Sequence, residues 1–269
     1  QGEQMAKTLY YGPECATGEG HIMAETAGAE LRYMDFGKIY PTGIEVNGRA
    51  VSVQPATLAA YTKSSGILVN KNGERVINEA GKLSDIRQAI WDTDEGMLYL
   101  LFDASTFADW RDQVVNTDKL LTDDQIDKWL ETNGTETPLF AHGDTIENVA
   151  ETSGVNAEQL KATVDKYNSY VEKGNDEDFG RALTKPIGDG PYYIIEQKTR
   201  FATTLGGVHI NTEFQVLDKN SDSIPNLYAC GELVSGAHGD DTTVGTATSW
   251  AYTSGRLAGA SVAEQLDNR

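Results

Sequence analysis

Residues 226–259 bring together an acid, several glycines and the start of a helix, which are the parts of a nucleotide-binding turn. Residues 227–229 are short, apolar and aromatic, a composition that predicts a buried strand. Gly231 allows a tight turn, Glu232 puts a carboxylate just beyond the strand, and a helical pattern begins at Thr246. Backbone N–H groups at a helix start can face an anionic ligand while the acid binds a hydroxyl. Taken alone, these features fit a nucleotide cradle and a plain strand–helix connection equally well.

Two terminal stretches with glycine-rich turns flank a long middle part of different pattern. Near the N-terminus, Gly18 and Gly20 precede a helix predicted over residues 21–31 and an extended segment over 31–40. The middle part alternates strand-like and helix-like segments: a hairpin at 66–78 around Asn72 and Gly73, a helix at 84–91, a buried strand at 97–102, helices capped by Asp144 and Asn156, a coil at 174–190 and a strand at 191–195. The sequence therefore predicts an α/β chain with an α+β insert.

The bulk composition argues against several classes of protein. The 269 residues carry a formal net charge of −19, which argues against binding to nucleic acid or to anionic membrane surfaces. No apolar run is long enough to span a membrane. Cys15 and Cys230 do not make a disulfide framework, and no Cys/His cluster has zinc spacing, so no metal is expected. The location stays open between a bacterial cytoplasm and export to the cell envelope.

Three short blocks resemble the C-terminal end of one flavoprotein family: TLGGVHIN at 204–211, IPNLYACGE at 224–232 and GRLAG at 255–259. That family contains the flavoprotein subunits of fumarate reductase and succinate dehydrogenase, L-aspartate oxidase, soluble fumarate reductases and 3-ketosteroid dehydrogenases. The resemblance covers nearly the whole chain but only the second half of the family's sequence. It implies part of a Rossmann-like FAD-binding domain in residues 1–43 and 200–269, with a capping domain inserted at 44–199.

The Gly-x-Gly-x-x-Gly fingerprint of a dinucleotide-binding fold does not occur in this sequence. Relatives carry that fingerprint in an N-terminal portion, so the chain is interpreted as the C-terminal part of a longer protein. The resemblance then implies three partners: the N-terminal FAD-binding segment, a small-molecule substrate and an electron donor. It also implies FAD in the intact protein and little or no FAD on this part alone.

The resemblance also implies a set of cofactor-binding residues. In relatives, the matching positions touch or adjoin the flavin, and here they are Glu19, Gly206, Gly207, Gly231, Glu232, Thr246, Ala247 and Thr248. Relatives have an aspartate where this chain has Glu19, so an acid is kept at that position.

Four substitutions fall at the positions with which relatives grip a dicarboxylate substrate. The two arginine positions hold Leu83 and Thr242, and the two histidine positions hold Thr203 and Tyr40. Arginine binds a carboxylate through paired, charge-assisted hydrogen bonds, which leucine and threonine cannot supply. The sequence therefore predicts a flavoenzyme scaffold whose substrate is not a four-carbon dicarboxylate such as fumarate.

The candidates for acid–base work are Tyr40, His238, Arg87 and Tyr252. Tyr40 stands at one of the histidine positions of the family, and tyrosine is a credible acid because ketosteroid dehydrogenases of this family use tyrosines rather than the arginine. Arg87 follows Leu83 by one helical turn and could reach the same cavity. The competing interpretations are a structural or flavin-adjacent role for His238 and a solvated helix position for Arg87.

The predicted function is that of an FAD-dependent oxidoreductase that reduces or desaturates a carbon–carbon bond next to a carbonyl. In such an enzyme the flavin carries the redox chemistry, while the protein positions the substrate and supplies one proton. The alternative is a non-catalytic fragment, a cap with half a cofactor domain that acts as a binding subunit without flavin. An NAD-dependent dehydrogenase is disfavoured because the fingerprint is absent.

Overall fold

The computed structural model describes residues 2–243 and 245–267, and the chain divides into two compact units. The larger unit comprises Gln4–Tyr11 and Ile39–Arg200. The smaller unit comprises the described residues of Gln1–Glu3, Gly12–Lys38 and Phe201–Arg269. The division into a cofactor domain at 1–43 and 200–269 and a capping domain at 44–199 stays a prediction.

Helices and short strands alternate along the chain. The strands are β1 (Leu9–Tyr10), β2 (Leu31–Arg32), β3 (Gly37–Val46), β4 (Arg49–Ser52), β5 (Ile67–Val69), β6 (Met97–Phe102), β7 (Phe140–Gly143), β8 (Tyr192–Thr204), β9 (Gly207–Val208), β10 (Gln215–Leu217) and β11 (Ser223–Tyr228). The helices are α1 (Gly2–Ala6), α2 (Glu19–Thr26), α3 (Gln54–Lys63), α4 (Leu83–Trp91), α5 (Ala104–Asp112), α6 (Asp123–Thr132), α7 (Ile146–Ser153), α8 (Ala157–Lys173) and α9 (Thr246–Asp267), with a π-helical turn at Gln113–Thr117 and a 3-10 turn at Gly231–Leu233.

Strand β8 is the centre of the sheet in the larger unit. The order of the sheet is β4-β3-β8-β6-β5, and β1 and β7 also pair with β8. β6 runs antiparallel to β8 with Phe102 opposite Tyr193, and β7 does so with Phe140 opposite Ile195. Strands from distant parts of the sequence therefore all pair with β8.

The side chains of β6 show why this sheet carries helices on both faces. Leu98, Leu100 and Phe102 lie in one buried cluster with residues of α3 to α6, whereas Tyr99 and Leu101 lie in a second with residues of α7 and α8. Alternate side chains of a strand point to opposite faces, so one apolar strand fills both clusters. Burial of each such side chain contributes about 1.5–3 kcal/mol. The predicted mixed α/β architecture is confirmed.

A cluster of two arginines and two acids is buried in the same unit. Nη2 of Arg75 lies 2.8 Å from Oε2 of Glu79 and 3.0 Å from Oδ2 of Asp176. Nη1 of Arg181 lies 3.1 Å from Oε2 of Glu79, and its Nη2 donates to the carbonyl oxygen of Tyr61 at 2.6 Å. The charges cancel in number, which is what allows a protein to bury them.

The smaller unit is built on short antiparallel strand pairs. β2 pairs with β9, and β10 pairs with β11. Its buried cluster consists of Ala24, Ala29, Val208, Val216, Ala229 and Val234, and Trp250 of α9 packs against them. The cluster is small, so the turns around it depend on close backbone packing as much as on apolar burial.

Two predictions about helix ends need correction. The helix predicted over residues 21–31 is Glu19–Thr26, because the chain turns at Gly28, whose φ is +97°. The cap of α7 is Thr145 rather than Asp144: Oγ1 of Thr145 accepts from the N–H of Asn148 at 3.1 Å. The predicted cap of α8 by Asn156 is confirmed, since its side chain accepts from Gln159 N–H.

The predicted strands differ more from the structure. The strand predicted as buried at 227–229 is Ser223–Tyr228, whose side chains are exposed or half-buried. The strand predicted to end at residue 195 continues to Thr204. The turn at Gly73 forms, but the second arm of the predicted hairpin is reduced to a bridge between Val69 and Arg75, because β5 pairs with β6 instead. The extent of each of these strands depends on the strand with which it pairs, and a local sequence pattern does not contain that information.

Candidate functional site

Gly206 and Gly207 lie where no side chain fits. A Cβ on Gly206 would lie 2.3 Å from the carbonyl oxygen of Tyr33, and one on Gly207 would lie 2.2 Å from the carbonyl oxygen of Leu233. Both separations are far below van der Waals contact. Glycine is therefore required here so that the backbone around β9 can approach two other backbone segments closely.

Gly231 begins the 3-10 turn that carries Glu232. Its φ of +72° is in the left-handed region that glycine adopts without strain. Its N–H donates to Oγ of Ser254 at 2.9 Å, and its carbonyl oxygen accepts from Nε1 of Trp250 at 3.1 Å. Both partners belong to α9, so the turn is fixed to that helix.

A cavity of about 480 Å³ lies beside this turn, within the smaller unit. Its lining includes six of the residues that the sequence singled out: Gly231, Glu232, His238, Ala247, Thr248 and Tyr252. Thr203 lines the cavity as well, next to the apolar side chains of Leu205, Val234 and Trp250. Glu19, Gly206, Gly207 and Thr246 are not part of this lining.

One wall of the cavity is the first turn of α9, which is 22 residues long. Ala247 and Thr248 belong to that turn. The first N–H groups of a helix lack acceptors inside the helix and carry its positive partial charge. The small side chains on this wall leave the backbone accessible. This wall is suited to a planar, electron-rich group that accepts hydrogen bonds.

His238 is half-buried on the cavity wall and is connected to two hydroxyls. Its Nδ1 lies 3.4 Å from Oγ1 of Thr242, and the hydroxyl of Thr242 is hydrogen-bonded to that of Thr246. Such a chain orients an imidazole and offers exchangeable protons beside it. Tyr252, which also lines the cavity, is 79% exposed.

The two acids predicted to bind the cofactor lie on neighbouring turns. Hydrogen bonds from the hydroxyl of Thr17 and from its own N–H lower the pKa of Glu19, so the exposed carboxylate at the start of α2 is ionised. A Cβ on Gly20 would lie 3.0 Å from Cδ1 of Leu233, which shows how closely α2 packs against the turn that carries Glu232. Both carboxylates are exposed.

Tyr40 lies in the larger unit, on β3, beside the buried Arg200 of β8. Cζ of Arg200 is 4.5 Å from the ring centroid of Tyr40 and 4.5 Å from that of Tyr11. Nε of Arg200 donates to the carbonyl oxygen of Thr42 at 3.1 Å, and Nη2 donates to Oε1 of Gln54 at 3.1 Å. Burial lowers the pKa of Arg200. Among the described residues no carboxylate forms an ion pair with this guanidinium, so neutral groups alone hold it.

Leu83 and Arg87 have different environments in α4. Leu83 is partly buried and packs against the main buried cluster of the larger unit. Arg87 is half-buried, and its Cζ lies 5.1 Å from the centroid of the Trp91 ring. A purely solvated position, the competing interpretation of Arg87, does not describe this stacked side chain.

Sequence reasoning did not single out Arg200 or Tyr11. The signal was a run of polar residues in β8, of which Glu196, Gln197, Thr199 and Arg200 are all buried. Polar side chains in such number usually indicate an exposed strand, so the pattern pointed away from a buried cation. The buried cation is recognised only from its contacts with β3 and with the first residues of the chain.

Metal-binding and membrane-spanning features are the other kinds of site considered for the described ranges, 2–243 and 245–267. These ranges contain no group of three or more His, Cys, Asp or Glu that could hold a metal ion. None of their helices combines the length and the apolar character needed to cross a membrane. Cys15 is exposed, Cys230 is half-buried, and both are free thiols.

Comparison with known proteins places these features in a wider context. The family model described as an FAD binding domain matches residues 2–246. Urocanate reductase of Eggerthella lenta is 34% identical over 249 residues, which are 92% of this chain and 39% of that protein. Fumarate reductase (cytochrome) of Shewanella frigidimarina is 32% identical over 250 residues, which are 93% of this chain and 40% of that protein.

A solved structure of a fumarate reductase is also similar to this chain. The open conformation of a flavocytochrome c3 fumarate reductase matches with a TM-score of 0.74 and 28% identity, over 98% of this chain and 43% of that one. The chain thus spans about two fifths of the length of each of these three relatives.

Proposed function

Because the chain belongs to the FAD-binding family whose model it matches, we propose that the whole protein is an FAD-dependent oxidoreductase acting on a carbon–carbon bond next to a carbonyl. Relatives named for the reduction of urocanate and of fumarate support this reaction class. The single observation that carries the proposal is the cavity beside Gly231, which gathers residues from four separate segments of the smaller unit.

The residues around that cavity fit a flavin ring. Gly231, Ala247 and Ala251 are small, and Leu205 and Trp250 supply apolar walls. The first turn of α9 offers N–H donors and a positive dipole end to the electron-rich edge of the ring. Glu232 is placed to accept hydrogen bonds from ligand hydroxyl groups. When bound, FAD would supply the two electrons of the reduction as a hydride.

In the reaction, the protein itself supplies one proton and holds the substrate in position. We assign the proton to Tyr40, whose ring is held beside Arg200, and the alternative proton donor is His238 with its chain to Thr242. Each is a side chain of the type that serves as general acid. An electron donor that re-reduces the flavin is a further partner.

The substrate proposed is not fumarate. Leu83 is partly buried against the main cluster, and the hydroxyl of Thr242 lies 3.4 Å from Nδ1 of His238, so neither position offers a cation to a second carboxylate. Each buried bidentate contact of that kind is worth roughly 1.5–3 kcal/mol. Losing two lowers the rate with a dicarboxylate by a factor on the order of 10²–10⁴. An enoate, enone or ring ketone with at most one carboxylate suits the site better.

The test uses the full-length gene product. An absorbance scan should show bound flavin, and a colourless full-length protein would overturn the proposal. With reduced viologen as electron source, turnover of aromatic acrylates or enones should exceed turnover of fumarate by about 10²-fold or more. Robust fumarate reduction would refute the argument from Leu83 and Thr242.

The role of Tyr40 is tested by Tyr40→Phe, which removes one hydroxyl and leaves the ring beside Arg200. We expect kcat to fall by about 10²-fold, the usual contribution of a positioned acid. Tyr192→Phe is the matched control, because its hydroxyl only donates to the carbonyl oxygen of Gly188. Unchanged turnover in Tyr40→Phe would remove Tyr40 from the mechanism and point to His238.

A further inference from the structure

A second cavity of the smaller unit has a volume of about 310 Å³ and is lined by two basic side chains, Arg32 and His209. Among the described residues, no Asp or Glu belongs to its lining. The chain carries 41 acidic residues and only 22 lysines and arginines, so a cavity with bases and without acids is an exception in it. This cavity, which we call the Arg32 cavity, shares Val234 and Trp250 with the cavity beside Gly231.

Both bases of the Arg32 cavity are oriented by Glu30. Nε of Arg32 lies 2.8 Å from Oε2 of Glu30, and Nδ1 of His209 lies 2.9 Å from the same oxygen. The backbone N–H of His209 also donates to the carbonyl oxygen of Glu30 at 2.9 Å. The two terminal amino groups of Arg32 donate to no residue that the structure describes. The guanidinium is thus held at one nitrogen and keeps a two-pronged edge for a ligand.

The segment at 235–237 adds backbone donors to the same lining. The N–H of Ser235 donates to the carbonyl oxygen of Val208 at 3.1 Å, which fixes the segment to β9. Gly236 then has a φ of +86°, in the left-handed region. The N–H groups of Gly236 and Ala237 donate to no acceptor within the ranges 2–243 and 245–267. Free consecutive N–H groups beside an arginine are donors of the kind that bind phosphate oxygens.

Two fixed aromatic rings form a further part of the lining. The ring of Tyr33 stacks on that of Phe36, with the centroids 5.4 Å apart and the planes 9° from parallel. The indole of Trp250 donates from Nε1 to the carbonyl oxygen of Gly231 at 3.1 Å, and its centroid lies 6.2 Å from that of Phe214. Rings that are already held in place lose little freedom when a flat ligand packs against them.

We propose that the Arg32 cavity binds a phosphomonoester carried on a planar ring, either a simple aryl phosphate or a nucleoside monophosphate. A phosphate has three terminal oxygens, one more than a carboxylate, and can accept from the fork of Arg32 and from the N–H groups of residues 236–237. The ring packs against Tyr33 and Trp250. A volume of about 310 Å³ suits a small ligand. Binding at this cavity does not depend on the proposed function.

The binding test uses the full-length protein, reconstituted with FAD and freed of excess FAD by gel filtration. Phenyl phosphate, AMP, inorganic phosphate and phenol are titrated into it by calorimetry. We expect a Kd on the order of 0.1 mM for phenyl phosphate or AMP, and binding of inorganic phosphate and phenol at least about tenfold weaker. Tighter binding of AMP identifies a nucleotide, and equal or tighter binding of phenyl phosphate identifies a simple aryl ester. No saturable binding of either ester, or equally tight binding of inorganic phosphate, would overturn the proposal.

Two variants make the result specific to Arg32. Arg32→Gln should weaken the binding of phenyl phosphate and AMP about tenfold or more, and Arg32→Lys should retain part of the affinity, because a point charge keeps the attraction but not the fork. Arg256→Gln, at an exposed arginine of α9, is the matched control and should bind as the parent does. Thermal melts confirm that each variant is folded. Unchanged affinity in Arg32→Gln would show that the esters bind elsewhere and contradict the proposal.

A third variant tests the aromatic part of the cavity. Tyr33 has a φ of +56°, and asparagine tolerates that left-handed backbone better than most residues, so Tyr33→Asn removes the ring with little strain. We expect the affinity for phenyl phosphate to fall about fivefold, the usual effect of one lost ring contact, while the weak binding of inorganic phosphate stays the same. No loss with phenyl phosphate, or an equal loss with both compounds, would refute the place assigned to the ring.

Discussion

The guanidinium carbon of Arg200 lies 4.5 Å from the centre of the Tyr40 ring, so a permanent charge is buried beside the tyrosine that we assign as proton donor. Tyr11 lies at the same distance from that carbon, and Thr42 and Gln54 accept its hydrogen bonds. No acid of the described residues neutralises the charge. The arrangement suits a device that fixes the rings in place better than one that binds an anion.

Replacing Arg200 by methionine should destabilise the larger unit by about 2–4 kcal/mol, because acceptors on Thr42 and Gln54 lose their donors and two rings lose a cation. Urea unfolding followed by tryptophan fluorescence measures the change. Arg256→Met is the matched control, since Arg256 is exposed. An Arg200→Met protein as stable as the control would show that the buried guanidinium is not a structural element.

Because of the buried carboxylate of Asp103, we expect the free energy of unfolding to fall at acid pH. Burial pushes its pKa up, but the N–H groups of Gly188 and Thr106 outweigh burial and hold the pKa below its usual value. A lowered folded pKa gives stability that is present above the unfolded pKa of about 3.9 and is lost as pH falls through the folded value. Asp103→Asn should therefore lose about 2–4 kcal/mol at neutral pH and less at low pH.

Urea midpoints at pH 7 and pH 3 test this, with Trp110 as a probe on the helix that Asp103 caps. The exposed Asp94→Asn is the control and should follow the parent at both pH values. A difference between Asp103→Asn and parent that is the same at both pH values would contradict the assignment of the acid-dependent loss to this carboxylate.

Removing Arg181 should cost more than removing any surface charge. Arg181→Met leaves Glu79 buried with one partner fewer and leaves the carbonyl oxygens of Tyr61 and Gly66 without their donor. Breaking a buried pair on one side typically costs 3–5 kcal/mol. Lys161→Met, which breaks only an exposed pair with Asp165, should leave the free energy of unfolding nearly unchanged. Similar midpoints for the two variants would disprove the importance of the buried cluster.

Alanine at Gly207 should unfold or severely distort the smaller unit, because its Cβ would lie 2.2 Å from the backbone oxygen of Leu233. The contrast is Gly259→Ala in α9, where the added Cβ meets nothing within 4 Å among the described residues beyond its chain neighbours and the adjacent backbone of its own helix. That change should stabilise the chain by up to about 1 kcal/mol, since alanine is the better helix former. Thermal melts distinguish the two, and a Gly207→Ala protein that melts with the parent would show that the contact relaxes.

Much of the fold could be predicted because its signals are local. The apolar run of β6, the helix that ends at Trp91 and the cap at Asn156 each follow from a few consecutive residues. The cavity residues Gly231, Glu232 and His238 were found through a resemblance in short motifs. The burial of Arg200 was not predicted, because its acceptors come from β3 and α3, well over a hundred residues earlier in the sequence.

The helix cap at Thr145 shows the same limit on a smaller scale. Asp144 and Thr145 are both good capping residues, so composition could not choose between them. The choice follows from where β7 ends and the backbone turns, which tertiary pairing fixes. The environments of Leu83 and Arg87 were likewise invisible in the sequence, since the core on which α4 packs decides which face is buried.

The close approach of backbone at Gly206 and Gly207 has a consequence for anyone who compares family members. Selection would keep glycine at both positions even in a member that had lost its cofactor, because any Cβ there collides with a neighbouring main chain. Invariance of this pair is evidence for a shared backbone path and says nothing about chemistry. Evolutionary signatures of a changed substrate should instead be sought at Leu83, Arg87 and Thr242, where the backbone imposes no such constraint.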